Sequence, residues 1–201
     1  MIRFVILGHR AHTTADFKLD DITGGAGRLD ILTRCVNSAF FLSHDLRKDV
    51  ELYLVLLGGE DAPKTVRFDG KELRYLNPDE RSTASLIRNA VIKKLEEDRE
   101  IRSSPGVFVS RKSFEQLMEE LSETSNFIYL REGGTDIREY EFPENPCYIL
   151  GDDRDPTPEE EEIMAKYKFD KISLGPVSLH ANHCMIIVHN EMDRRFAGEQ
   201  L

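Results

Sequence analysis

The sequence predicts an α/β fold with a largely parallel sheet flanked by helices, and three observations carry that expectation. Short apolar runs such as IRFVIL, VELYLVLL, NFIYL and CYIL read as strands buried on both faces. Segments with apolar residues at steps of three and four lie between them, as amphipathic helices require. The alternation of strand and helix is most regular after residue 106, which implies parallel strands joined by crossover helices. No internal repeat or low-complexity linker interrupts the 201 residues, and 40% hydrophobic residues suffice for a core, so 1–201 is expected to form one domain.

The elements follow in order. Residues 2–7 form a strand, and the polar, glycine-rich stretch 8–27 is a loop too long for a plain connector. Over 28–46, Leu29, Leu32, Val36, Ala39 and Phe40 recur at helical spacing. VELYLVLL is a second buried strand. KTVRF and KELRYL, either side of Asp69-Gly70, suggest a hairpin with those residues in its turn. STASLIRNAVIKKLEED, residues 82–98, is a helix capped by Ser82 or Thr83, with Leu86, Ala90 and Leu95 along one face. After SSPG come the strand VFV, the helix SFEQLMEELSE, the strands NFIYL and CYIL, the helix PEEEEIMAKY, the strand DKISL and a last helix near HANHCMIIVHNEM. In open sheets of this kind ligands gather beyond the carboxyl ends of the strands, which singles out LREGG, LGDDRD and SLGPVSL.

The formal charge of −10 speaks against nonspecific binding of nucleic acid, because phosphate contacts need Lys and Arg. The charge is unevenly distributed, however. Acids concentrate in EEDRE, GDDRD and PEEEEI, whereas Arg3, Arg10, Arg28, Arg34, Arg47 and Lys48 occupy an N-terminal quarter with few acids. A local basic face built on Arg10, Arg28, Arg34 and Arg47 is therefore compatible with an acidic chain. Cys35, Cys147 and Cys184 are odd in number, widely spaced and in apolar surroundings, which suits free thiols. There is no apolar run of eighteen residues, and MIRFVILGHR lacks a small-residue cleavage site, so a cytosolic protein is expected without membrane association.

Three motifs have both a chemical and a structural reading. Asp152, Asp153 and Asp155 could ligate magnesium, but Thr157 as helix cap, Pro158 at the first helical position and acids at 159–161 explain that run as the start of a helix. GGAGRLD is neither a P-loop nor a dinucleotide fingerprint. It places Arg28 beside Asp30, a pair able to serve as anion anchor and base, although surface pairs of this kind are usually inert. His180, His183 and Cys184 share a helix face, yet no further cysteine or histidine cluster closes a zinc site, so no metal is expected. Gly175-Pro176 with Ser178 reads instead as a turn that caps a core helix with Cys184, Ile186 and Ile187 facing inward.

FVILGHRAHTT, GGAGRLDILTRCVNSAFFLSHDLRKDVELYLVL, LNPDERSTASLIRNA, FIYLREGG, CYILGDDRD and LGPVSLHANHC, in this order over nearly the whole chain, resemble the archaeal tRNA pseudouridine N1-methyltransferases of the SPOUT superfamily. The resemblance implies a C-terminal trefoil knot, S-adenosylmethionine as methyl donor, and a homodimer acting on the pseudouridine at position 54 of the tRNA T-arm. It also implies cofactor contacts from Leu130 and its following loop, Gly151, Leu174, Gly175, Pro176, Val177, Ser178, Leu179 and Cys184. RLDI further resembles the Arg-x-Asp-Ile of the sister ribosomal-RNA pseudouridine methyltransferases. That likeness implies Asp30 as acceptor of the N1 proton and Arg28 as partner of the anionic base or of a phosphate. The competing functions are the same chemistry on ribosomal RNA, a noncatalytic RNA-binding or assembly protein of this fold, and a magnesium hydrolase built on Asp152, Asp153 and Asp155.

Overall fold

The computed structural model describes residues 1–97 and 99–196. In chain order its strands are β1 (Ile2–His12), β2 (Val50–Gly58), β3 (Lys64–Asp69), β4 (Ile101–Ser104), β5 (Val107–Ser110), β6 (Asn126–Asp136), β7 (Pro146–Gly151) and β8 (Phe169–Ser173). Its helices are α1 (Leu29–Phe40), α2 (Glu80–Val91), α3 (Phe114–Ser122), α4 (Pro158–Ala165) and α5 (Ala181–Phe196). The strands form one sheet of order β4-β5-β3-β2-β1-β7-β6-β8. From β2 to β8 neighbours are parallel, and β3, β5 and β4 extend the other edge antiparallel.

β1 explains why the strand signal is a continuous apolar run. It pairs with β2 on one side and β7 on the other and is covered on both faces. Phe4 and Ile6 enter the core beneath α1, α2 and α5, while Val5 and Leu7 enter the core beneath α3 and α4. Apolar side chains are thus needed at every position, not at alternate ones. Local chemistry starts the helices on the second face. Ser113 with Gln116, and Thr157 with Glu160, each make a reciprocal capping box, and Pro158 opens α4.

Several boundaries differ from the sequence expectation. β1 continues to His12 rather than stopping at Leu7, so the loop begins later. α1 ends at Phe40, and residues 41–46 form a tight return closed by a bridge between Phe41 and Leu46. Asp69-Gly70 does turn the chain, but KELRYL leaves the sheet because the free edge of β3 is taken by β5. Leu73 and Leu76 pack into the core from this loop. α2 starts at Glu80, capped by Asp79, whose side chain accepts from Ser82 N at 2.7 Å, and it stops at Val91. β4 is an additional strand, antiparallel to β5. α5 begins at Ala181, after Ser178, and turns Met185, Val188 and Met192 inward, leaving Ile186 49% exposed. Among the described residues no helix is long and apolar enough to cross a membrane.

Candidate active site

The carboxyl ends of β6, β7 and β8 border a cavity of about 650 Å³, closed on one side by the start of α5. Leu130, Gly151, Leu174, Gly175, Val177, Ser178, Leu179 and Cys184 all line it, and Pro176 is outside the lining. The glycine at 151 has a local cause. A Cβ there would lie 1.8 Å from the carbonyl oxygen of Arg154, because the loop after β7 folds back over it. The space is filled by the protein's own backbone rather than kept clear for a ligand. Gly175 is the opposite case, with φ +140° and no atom within 4 Å of a Cβ.

One wall of the cavity is an arginine network at the start of α1. Arg28 lines the cavity and precedes α1 with a left-handed backbone, φ 64°, a strained conformation for a side-chain-bearing residue. Its guanidinium donates to Asp30, 3.0 Å from Nε to Oδ1, and Arg34 donates to the other carboxylate oxygen at 2.7 Å. Asp30 is 4% exposed and does not itself line the cavity. Burial pushes its pKa up, but Arg28 and Arg34 outweigh burial and hold the carboxyl below its ordinary range. Arg28 also lies 3.6 Å from Asp153, which pairs with Arg10, and Arg34 reaches Glu80 at 3.4 Å. Three of the four arginines assigned to a basic face therefore share this network. Arg47 does not: it pairs with Asp193 at 2.6 Å, beside the turn after β3 at the amino ends of the parallel strands.

The second wall rests on a residue that sequence reasoning missed. His9 Nδ1 lies 2.9 Å from Asp152 Oδ1, and its Nε2 lies 2.9 Å from Glu160 Oε2. Hydrogen bonding to Asp152 first, then to Glu160, raises its pKa to about 9. Asp152 is drawn up by burial but held below the ordinary carboxyl range by His9. The only sequence signal was Glu160 at the third position of a capped helix. Asp152 is engaged by His9 through both carboxylate oxygens, and Asp153 by Arg10 and Arg28 through Oδ2. Among the described residues no group of three His, Cys, Asp or Glu side chains is placed to hold a metal ion. His180 and His183 stack on each other with ring centroids 5.4 Å apart. Cys35 and Cys147 are buried free thiols, and Cys184 is half-buried with its pKa raised by burial.

The wall chemistry suits a molecule with an apolar body and a positive centre. Leu130, Leu150, Leu174 and Ala181 offer hydrocarbon, the ends of three strands offer backbone donors and acceptors, and Glu132 and Asp155 add carboxylates. A nucleoside sulfonium of the S-adenosylmethionine type fits that set.

Comparison with known proteins agrees with this architecture. The crystal structure of Archaeoglobus fulgidus Nep1 bound to S-adenosylhomocysteine superposes with a TM-score of 0.64 at 16% identity, covering 97% of this chain and 98% of that one, a likeness of fold. The Haloferax volcanii tRNA (pseudouridine(54)-N(1))-methyltransferase is 51% identical over 195 residues, 96% of each chain. The enzyme of the same name from Methanococcoides burtonii is 48% identical over 201 residues, 99% of each chain. The family model described as "Putative SAM-dependent RNA methyltransferase" matches residues 1–197. With that match spanning nearly its full length, and relatives of about half identity on either side, the chain belongs to this family of S-adenosylmethionine-dependent RNA methyltransferases.

Proposed function

We propose that the protein methylates N1 of the pseudouridine at position 54 of tRNA, using S-adenosylmethionine. The observation that carries the proposal is the cavity at the ends of β6, β7 and β8 with Arg28, in a strained backbone conformation, on its wall. The names of the relatives supply the substrate. When bound, the cofactor supplies a methyl group on a positively charged sulfur. Leu130, Gly151, Leu174, Gly175, Val177, Ser178, Leu179 and Cys184 are the residues that would hold it.

The chain's own contribution is orientation and charge. Pseudouridine presents a free N1–H; loss of that proton to solvent water leaves negative charge on the ring, which Arg28 stabilises until N1 accepts the methyl group and the ring is neutral again. Asp30, with both oxygens engaged by guanidinium groups and its pKa held low, is a poor proton acceptor near neutral pH. We therefore assign it to fixing Arg28, in place of the role of base that the sequence suggested. Arg10 and Arg34, beside Arg28, form the RNA-facing rim. Residues 1–201 act as one domain in this reading. The loops after β6, β7 and β8 belong to a trefoil knot, and the enzyme works as a cytosolic homodimer without a metal.

Mass spectrometry of two T-arm hairpins tests the proposal, one carrying pseudouridine and one uridine at the target. Methylation of the pseudouridine hairpin alone is expected, since N1 of uridine is bonded to the sugar. Methylation of both, or of neither, would overturn the assignment.

A further inference from the structure

His9 has no part in the reaction as just described, yet its backbone N–H and both ring nitrogens are engaged beside the cavity. β1 pairs with β7 as far as Leu7 and Gly151, and its pairing with β2 shifts register between Gly8 and His12. His9 lies in that irregular stretch, two residues beyond Leu7, the last to pair with β7. Its backbone N–H donates to Asp152 Oδ2 at 2.9 Å, and its two ring nitrogens face Asp152 Oδ1 and Glu160 Oε2 at 2.9 Å each. A neutral imidazole has one donor and one acceptor, so it would set a lone pair against one of the two carboxylates. Only the imidazolium donates to both.

The two carboxylates are the fastenings of one loop. Asp152 Oδ1 also accepts from Arg154 N at 3.1 Å, and Glu160 Oε2 also accepts from Thr157 N at 2.8 Å. Residues 151–157 run between these points, and Gly151 to Pro156 line the cavity. A single positive charge on β1 therefore ties down both ends of the segment that makes one wall.

We propose that His9 is a positioning residue: its imidazolium clamps the β7–α4 loop in the shape that receives the cofactor, and loss of its proton opens the clamp. The proposal rests on reading the cavity as the cofactor site. The charged groups around the ring are Asp152 and Asp153 from the loop, Glu160 from α4 and Arg10 from β1, with Arg28 reaching Asp153 from the start of α1. The carboxylates dominate, in keeping with a pKa raised to about 9, and the clamp is closed at neutral pH.

The test is calorimetric titration with S-adenosylhomocysteine from pH 6.5 to 10, on the parent, His9→Gln and Glu160→Gln, with thermal unfolding of each at pH 7. Glutamine at 160 keeps the capping geometry but removes one of the charges that hold the proton on His9. At pH 7, His9→Gln should bind about tenfold more weakly, as expected when a charge-assisted hydrogen-bond network loses its donor. The ligand's own amine titrates in the same range in every arm, so the ratio of variant to parent Kd is the readout. That ratio should fall towards one as pH rises through the His9 pKa. In Glu160→Gln, the pH at which affinity weakens should move down, and NMR titration of the His9 ring should move with it. Parental affinity in His9→Gln, or a ratio independent of pH, would overturn the clamp. Should His9→Gln fail to fold, an unmoved midpoint in Glu160→Gln would overturn it equally. A parent that binds no S-adenosylhomocysteine at any pH would overturn the cofactor reading and the clamp with it.

Discussion

The two ends of the parallel sheet carry similar charges and put them to different use. At the amino ends, Arg47 meets Asp193 in a two-pronged pair at 2.9 and 2.6 Å, and Arg3 and Arg67 share Glu51, so the charges close on each other over a packed core. At the carboxyl ends, Arg10, Arg28, His9, Asp152 and Asp153 pair equally well but do so around a cavity, with one of them on a strained backbone. Ion pairs as such do not mark function, since exposed ones are worth only about 0–1 kcal/mol. What distinguishes the functional end is that its charges frame an open space.

Removing the arginine on the cavity wall should break this contrast most. Arg28→Ala should lower kcat/KM by about 10²–10³-fold, the usual loss for an electrostatic stabiliser, and Asp30→Asn by about 10²-fold. If Asp30 works by fixing Arg28, the double variant should be no slower than Arg28→Ala alone. The rate lost in Asp30→Asn should then stay lost at high pH. Recovery at high pH would give Asp30 back the role of base. At the other end, Asp193→Ala should leave kcat within about twofold, as expected of a charge remote from the reacting atoms.

The glycines sharpen the comparison within the site. Gly151→Val drives a side chain into the Arg154 carbonyl and should destabilise the fold by about 1–3 kcal/mol, while displacing the loop and abolishing S-adenosylhomocysteine binding. Gly175→Ala meets no atom and should cost only about 1 kcal/mol from its positive φ. Urea unfolding with calorimetry reads both, and equal stability losses would show that Gly151 is not held by its own loop. For RNA, Arg10→Ala and Arg34→Ala should each flatten the dependence of log Kd on log salt by up to about 1, whereas Arg47→Ala should leave the slope unchanged. An equal effect at Arg47 would extend the RNA surface to the amino end.

Much of what is decided locally was visible in the sequence. Strands buried on both faces show as unbroken apolar runs, the cap at Thr157 acts within one helical turn, and Arg28 and Asp30 are near neighbours in the chain, although the cap of α2 is Asp79 and not Ser82 or Thr83. What depends on distant partners stayed hidden. KELRYL has strand-like residues but no edge to join, because β5 occupies it. His9 meets Asp152 and Glu160 across 143 and 151 residues, and no spacing rule reaches that far. Arg47 joined the basic face on charge alone, and charge does not say at which end of a sheet a residue lies.

The finest expected effect sets one end against the other through two histidines. His9 at the carboxyl end is raised to about 9, by Asp152 first and then Glu160. His189 in α5 packs its ring against Phe4 with centroids 5.1 Å apart, beside Arg47 and Asp193, and among the described residues neither ring nitrogen has a hydrogen-bond partner. Burial first, with Arg47 adding to it, pushes its pKa down to about 4, and the Asp193 carboxylate pulls back too weakly to offset this. The unfolded reference for both is about 6.5. Since the folded pKa of His9 lies above that reference, its contribution to stability is fully present below about pH 6.5 and is lost as pH rises through about 9. For His189 the folded pKa lies below the reference, so its contribution is present above about pH 6.5 and is lost as pH falls through about 4. Each limb of the stability profile thus has one histidine acting on it from one end of the sheet. Thermal unfolding from pH 4 to 10 should show His9→Gln flattening the alkaline limb and His189→Leu flattening the acid limb, each relative to the parent. For a chain of this size, about 1 kcal/mol appears as a shift of about 2–4 °C. Profiles for both variants that run parallel to the parent's would mean that the two ends titrate alike, and that the charge contrast between them does not reach the stability of the fold.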